Sequence, residues 1–168
     1  LMRNELREQW HTEEHGGRRI DVPIGSVTLD FAVASMKNAF EIPETVERSD
    51  ASMPIPERDF YAIRYYDRRS EKGLLFKIEG LDYSTKGDVV NCSVTLAVED
   101  AIGQQLYRKT YSATGDVASG TGLDAIPLPL KAKTKSRLEE NTAVALKSIF
   151  HQVLQDARTL VRKRIHSD

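Results

Sequence analysis

The residues of this sequence that could do chemistry are few. Two histidines, His11 and His15, stand four residues apart in the stretch HTEEH, a spacing at which two imidazoles on a helix can share a metal ion. The metalloprotease pattern needs a glutamate directly after the first histidine, and this chain has Thr12 there. We therefore predict no metal site and expect a solvated, flexible segment.

The other candidates are one cysteine and a few acids and bases on a predicted C-terminal helix. Cys92 falls on the apolar face of a predicted strand, where a small buried hydrophobe is expected rather than a reactive thiolate. His151 and Asp156 are five residues apart and therefore point away from each other, and Glu139 and Glu140 are the remaining acids considered. We predict no catalytic residue, no cofactor and no enzymatic activity.

The segment from Asp116 to Lys135 is rich in glycine, proline and small residues, which is typical of a long surface loop. Its glycines follow neither the dinucleotide-binding nor the Walker pattern, so no phosphate loop is expected. Lysines alternate at its end, at Lys131, Lys133 and Lys135. A solvated loop accounts for them, and contact with an anionic surface or a charged partner is the alternative.

The segment from Phe60 to Arg69 mixes aromatic and arginine residues at a spacing that predicts a strand. The candidate interaction residues here are Tyr61, Arg64, Tyr65, Arg68 and Arg69. Sheet-face packing accounts for them, and a ligand groove between this segment and the sheet is the alternative. Because 24 Lys and Arg balance 25 Asp and Glu, the overall charge does not indicate nucleic-acid binding.

The elements that must position these residues centre on a hairpin. Alternating apolar residues predict its first strand, at Val90, Cys92, Val94, Leu96 and Val98. A turn containing Gly103 leads to a second strand, which has Tyr107, Lys109, Tyr111 and Ala113 on one face. Residues 74–83 predict a further strand with a bulge at Gly80, and 84–88 the turn into the hairpin.

Helical spacing appears on either side of this sheet. A first helix is predicted from an N-cap at Ser26 to a stop at Pro43, after a short edge strand at 20–24. A long connection over 42–59 with a short strand near 45–48 follows it. The last helix begins with a capping box, Ser136 and Glu139, and has an apolar stripe from Leu138 to Leu160 that predicts packing across the sheet.

Together these elements predict an α+β fold. We expect an antiparallel sheet of about four to five strands, with the first helix and the long C-terminal helix packed on one face. Residues 20–165 would form the single domain, and residues 1–19 a polar N-terminal arm or tether with a short helix at 2–12, ended by Gly16 and Gly17. No stretch approaches the length of a membrane span.

Two stretches of the sequence carry a resemblance. They are KIEGLDYSTKGDVVNCSVTLAVEDAIGQQLYRKTYSATG, from Lys77 to Gly115, and NTAVALKSIFHQVLQDARTL, from Asn141 to Leu160. A strand rich in lysine and tyrosine is followed by a helix with Ala145 and Leu146 at its start and an aspartate near its end. In this the chain resembles the YajG-type family of small bacterial envelope lipoproteins, over about half its length.

The resemblance implies a non-enzymatic domain that acts in envelope assembly or as a scaffold in a multiprotein envelope complex. It implies a position on the periplasmic side of the outer membrane, and a cytoplasmic location is the alternative. The expected partners are other envelope proteins, a homo-oligomer through sheet edges, and the membrane only through an N-terminal lipid. Because no cysteine precedes residue 20, that lipid would be attached upstream of Leu1.

Overall fold

A meander of three long antiparallel strands forms the centre of the fold. The structure is a computed structural model that describes residues 2–15, 17–39, 60–61, 64–65, 74–100, 103–116 and 137–165. The meander consists of β6 (Leu74–Lys86), β7 (Val89–Asp100) and β8 (Gln105–Gly115). The predicted hairpin is confirmed, since β7 pairs with β8 in antiparallel register from Val90 opposite Gly115 to Glu99 opposite Gln105.

The strand β6 is longer than predicted and contains the predicted bulge. Its register against β7 shifts between Ile78 and Gly80, so Glu79 is the extra residue. The strand then continues to Lys86, and the turn into β7 is confined to Gly87 and Asp88. Gly87 has a φ of 61°, a conformation that glycine adopts without a steric penalty.

Short strands extend the sheet beyond β6. The strand β1 (Met2–Arg3) lies between β6 and β4 (Phe60–Tyr61), and β5 (Arg64–Tyr65) pairs with the start of β6. The described sheet thus has six strands, in the order β4-β1-β6-β7-β8 with β5 also on β6. Pairing is antiparallel except between β1 and β6, where Met2 lies parallel to β6 opposite Ile78.

The prediction of an N-terminal arm is wrong for residues 2–15. Met2 is completely buried in the core, and the helix expected over 2–12 is a single turn, α1 (Asn4–Arg7). The strands β2 (His11–His15) and β3 (Arg18–Val22) form a separate antiparallel hairpin. Backbone pairing of β1 and burial of Met2 therefore fix this segment against the domain.

Two long helices cover the sheet. The helix α2 (Ile24–Ala39) begins two residues before the predicted start, and Ser26 is not its N-cap, because the Ser26 hydroxyl donates to the carbonyl of Pro23 at 3.1 Å. The helix α3 (Arg137–Ile165) contacts β7, β8 and α2. One core joins both helices to the sheet, and this confirms the predicted α+β architecture.

The predicted stripe of α3 forms much of this core. Leu146, Ile149 and Phe150 are completely buried, and Val153 is nearly so. The helix approaches β8 so closely at Gly115 that a β-carbon there would overlap the carbonyl oxygen of Asn141. The end of β8 therefore needs glycine for lack of space.

Several predicted features lie outside the described residues. These are the strand near 45–48 with its connection, the capping residue Ser136 and the loop over 117–135. Among the residues that are described, no helix is both long and apolar enough to cross a membrane.

Candidate functional site

The two faces of the meander differ in what covers them. On the core face, alternate residues of β8 point toward α3, and on the outer face the other residues point away from it. Tyr111 on the core face is buried, whereas Thr110 and Ser112 on the outer face are exposed. The same strand thus presents a closed set of polar groups to the helix and an open set to solvent.

The closed set is a tyrosine–carboxylate cluster made of Tyr107, Lys109, Tyr111 and Asp156. One carboxylate oxygen, Asp156 Oδ2, accepts from Tyr107 Oη at 2.7 Å, from Lys109 Nζ at 2.7 Å and from Tyr111 Oη at 2.9 Å. The two phenol oxygens are 2.6 Å apart. This cluster joins the edge strand β8 to the second half of α3.

The tyrosine–carboxylate cluster has more short oxygen–oxygen contacts than phenolic protons. A phenol carries one proton, so Tyr107 and Tyr111 supply two protons for three short oxygen–oxygen contacts. Lys109 donates its own proton, and its ammonium also lies 4.8 Å from the centre of the Tyr111 ring. Both phenols donate to Asp156, so the contact between the two phenol oxygens has no proton of its own. The Lys109 ammonium bonded to the carboxylate is what favours an ionised Asp156.

Electrostatics hold the cluster in this protonation state. The Lys109 ammonium and then the Tyr107 hydroxyl, both bonded to the carboxylate, lower the pKa of Asp156 below 3.8. Burial is the main cause that raises the pKa of Tyr107 and of Tyr111 above 10.0. An acid or base catalyst works best with a pKa near the operating pH, and these groups are shifted away from neutrality. The cluster links the helix α3 to the strand β8.

A second polar link supports the same packing. The Tyr83 hydroxyl and Thr142 Oγ1 are 2.7 Å apart, and Thr142 donates to the carbonyl of Leu138 at 2.7 Å. Since Thr142 has one proton, Tyr83 is the donor in the first contact. The core face of the meander is thus tied to α3 near both ends of the helix contact.

The outer face divides at the bulge of β6. On one side Lys77 pairs with Glu99 at 2.5 Å, and Arg108 pairs with Glu79 at 2.8 Å. On the other side most residues are small and polar, and the exposed Lys86 ends the same row of β6. We call this second half the polar patch, and its members are Asp82, Ser84, Asn91, Ser93, Ser112 and Thr114.

The polar patch lines an open cavity of about 450 Å³, to which Gln9 also contributes. Two hydrogen bonds cross the strands here, from Ser93 to Asp82 at 3.2 Å and from Thr114 to Asn91 at 2.9 Å. The Asp82 carboxylate can accept further bonds, and the Asn91 amide can donate through its NH₂ group. The patch therefore offers exposed donors and acceptors on a rigid sheet.

The HTEEH segment does not form the helix considered for it. It is the strand β2, in which residues four apart are separated by roughly 13 Å along the backbone. The rings of His11 and Tyr83 are in tilted contact at 56°, with their centres 4.6 Å apart. The Nε2 atom of His11 lies 3.4 Å from Thr85 Oγ1 and 3.7 Å from a Glu13 oxygen. The segment is thus a paired strand, with Thr12 and Glu14 exposed as expected of a solvated segment and His11 and Glu13 half-buried. No group of possible metal ligands occurs among the described residues.

Of the predicted interaction residues, the structure describes only the backbone of Tyr61, Arg64 and Tyr65. Tyr61 lies in β4 opposite Met2, and Arg64 and Tyr65 lie in β5 opposite Leu75 and Leu74. The others are outside the described residues, namely Arg68, Arg69, Lys131, Lys133 and Lys135.

The acids, bases and thiol considered in the sequence do not assemble into one site. Cys92 is buried as predicted, and burial raises the pKa of its thiol to about 12. His151 is exposed, and its Nε2 lies 3.0 Å from Gln155 Nε2, while Asp156 faces β8. Glu139 and Glu140 are exposed near the start of α3. As predicted, His151 and Asp156 form no pair.

Sequence reasoning placed Tyr107, Lys109 and Tyr111 on one face but did not connect them with Asp156. The signal was the alternation of long polar side chains on a strand face that must meet a core. Such residues need a partner when buried, and the second half of the apolar helix carries one carboxylate, Asp156.

The fold and these two faces define a small α+β domain with a helix-covered antiparallel sheet. No protein-family model, curated protein or solved structure matches the chain.

Proposed function

We propose that this chain is a non-enzymatic scaffold domain of a bacterial envelope complex, on the periplasmic side of the outer membrane. We further propose that its copies associate through the free edge of β8. The envelope setting is supported by the resemblance carried by residues 77–115 and 141–160. The mode of association is supported by the position of β8 in the sheet.

The observation that carries the proposal is the edge of a long strand with which no second described strand pairs. β8 has 11 residues and, among the described strands, pairs with β7 alone. Its other edge presents backbone N–H and C=O groups in a row, which is a template for pairing with another chain. The strand contains no proline to interrupt such a row.

A second copy of the chain fits this edge by symmetry. A two-fold axis makes the same surface contact itself, and most homo-oligomers use such an axis. Thr110 is the middle residue of β8, so antiparallel pairing centred on Thr110 keeps the whole strand paired. Each Thr110 would then lie opposite its counterpart, and an exposed position on the outer face becomes a probe of the interface.

Sedimentation equilibrium over a range of concentrations tests this association. The wild type is expected to dimerise, and Thr110→Lys to weaken dimerisation because two like charges face each other across the new strand pair. Thr95→Lys is the matched control, since Thr95 bonds to Thr110 at 2.8 Å on the same face but belongs to the central strand β7. A wild type that stays monomeric at millimolar concentration contradicts the proposal, as does equal weakening by both variants.

Cell fractionation tests the setting separately. The full reading frame, expressed with its native upstream residues, is expected in the envelope fraction and accessible to protease only after the outer membrane is permeabilised. Recovery in the cytoplasm would contradict the envelope proposal and leave the edge association to be judged on its own measurement.

A further inference from the structure

We infer that the polar patch on the outer face is a binding site for a neutral oligosaccharide. The site is distinct from the free edge of β8 and does not depend on self-association. It consists of the cavity lined by the polar patch and bordered by Gln9, from the segment between α1 and β2.

The chemistry of the lining selects the class of ligand. Its side chains include hydroxyls, amides and one carboxylate, and none of the lining residues is lysine, arginine or histidine. An anionic ligand in the cavity would meet the Asp82 carboxylate with no cation among the described lining residues, since Lys86 lies on the same face beyond Ser84. A sugar hydroxyl both donates and accepts, so it can donate to Asp82 and accept from the amide of Asn91.

Part of the hydrogen-bonding capacity of Asn91 and Asp82 is not used by other described residues. Asn91 accepts from Thr114 through its side-chain oxygen, which leaves its NH₂ group for a ligand. Asp82 accepts from Ser93 through one oxygen, which leaves lone pairs on both oxygens. The hydrogen bonds within the patch orient its polar groups before any ligand arrives, and this preorganisation reduces the entropy lost on binding.

The shape also fits an oligosaccharide. A volume of about 450 Å³ lies within the range of small-molecule sites, and the floor is a sheet of small side chains. Three strands contribute to it in register, with Asp82 opposite Ser93 and Ser93 opposite Ser112. A flat, open floor suits a chain of rings that lies along it.

A tryptophan follows the residue that borders the cavity. Trp10 comes directly after Gln9. Its side chain is 62% exposed, and among the described residues no other large hydrophobic side chain is exposed. Exposed tryptophans are enriched at binding surfaces because the ring offers a broad apolar face at a small entropy cost. Trp10 does not line the cavity, so a sugar ring would stack on it only where the ligand extends beyond Gln9.

The test is a titration followed by ¹H–¹⁵N spectra of the full chain, with chitotetraose and maltotetraose as neutral probes. A sulfated tetrasaccharide is the charged control. We expect saturable shifts with at least one neutral probe, confined to the amides near residues 9–10, 82–84, 91–93 and 112–114. The sulfated probe should cause no shifts there.

Variants separate the site from general effects on the fold. Asp82→Asn with Asn91→Ala should weaken binding by about tenfold or more, which corresponds to one lost charge-assisted hydrogen bond. Thr95→Val lies on the same face, in the central strand β7 and outside the cavity, and should bind like the wild type. The spectra show directly whether each variant is folded.

The inference is overturned if neither neutral probe shifts the patch amides. It is also overturned if the sulfated probe binds there as tightly, or if the Asp82→Asn, Asn91→Ala variant, still folded, binds like the wild type. Dimerisation through β8 is measured independently, so its failure would leave this result intact.

Discussion

The two faces of one strand pair use polar residues in opposite ways. On the core face, Tyr107, Lys109 and Tyr111 all donate to a single carboxylate oxygen of Asp156. On the outer face, Asp82 and Asn91 each make one side-chain bond to a neighbouring strand and keep further capacity. The closed set stabilises the packing of a helix, whereas the open set is available for recognition. Substitutions should therefore affect stability on one face and binding on the other.

The largest effect is expected where the core face meets the buried stripe of α3. Ile149→Asp places a charge at a completely buried position and should lower the free energy of unfolding by about 4 kcal/mol or more, enough to unfold many domains. Arg158→Asp, at an exposed position of the same helix, is the control and should change it by less than about 1 kcal/mol. An unchanged melting temperature for Ile149→Asp would contradict the assignment of the core face.

A smaller effect is expected from closing the gap between β8 and α3. Gly115→Ala forces the strand and the Asn141 backbone apart, and such overpacking costs about 1–3 kcal/mol. At Gly80 a new β-carbon would be 3.3 Å from Thr95 on the outer face, so Gly80→Ala should cost clearly less. Chemical denaturation of both variants gives the comparison, and equal losses would argue against close packing at Gly115.

Asp156 on the core face and Asp82 on the outer face give the most direct comparison of the two faces. Asp156→Ala removes the acceptor of two tyrosines and should destabilise the protein by about 1–2 kcal/mol. Tyr111→Phe should cost about 1 kcal/mol, because the remaining donors still satisfy the carboxylate. Asp82→Ala on the exposed face should change stability by less than about 0.5 kcal/mol. Urea denaturation measures all three, and a larger loss for Asp82→Ala than for Asp156→Ala would reverse our interpretation.

The smallest effect is the dependence of stability on pH. Because hydrogen bonds lower the pKa of Asp156 below 3.8, its ionised form adds stability above the pKa of the unfolded state, and this is lost as pH falls through the lower folded-state value. The advantage of the wild type over Asp156→Asn should be constant from about pH 5 to 8 and shrink below about pH 4. With a partly exposed carboxylate the change should stay below about 1 kcal/mol. A difference that does not shrink in acid would contradict an ionised Asp156.

Much of the fold could be predicted because long elements carry clear periodicity. The alternation from Val90 to Val98 and the stripe from Leu138 to Leu160 each extend over several repeats. The strand β1 could not be found this way, because a two-residue strand has no period. Its place beside β6 depends on Met2 filling the core, which is a tertiary effect.

The hairpin of β2 and β3 was not predicted because its turn was misinterpreted. Two glycines, Gly16 and Gly17, stand between HTEEH and RRIDV, and a glycine pair between two runs of similar length is a hairpin signal. They were interpreted as the end of a helix instead. Cross-strand partners follow from the hairpin, such as Thr12 with Asp21, whose side chains hydrogen bond at 2.7 Å.

The two parts of the tyrosine–carboxylate cluster could be predicted from the sequence, but not the contact between them. Strand alternation placed Tyr107 and Tyr111 together, and helical spacing placed Asp156 on α3. Neither pattern gives the position of α3 along β8, which packing determines. Likewise the alternation from Val90 to Val98 puts Asn91 and Ser93 on the opposite face of the strand, but their neighbours Asp82 and Ser112 depend on the register of both turns.

The central claim is that the free edge of β8 binds a second copy of the chain, and hydrogen–deuterium exchange at two protein concentrations tests it most directly. If copies pair through this edge, amides of residues 105–115 that point away from β7 gain protection at high concentration, while those of the central strand β7 do not change. Exchange at the β8 edge that is fast and the same at both concentrations would contradict the claim.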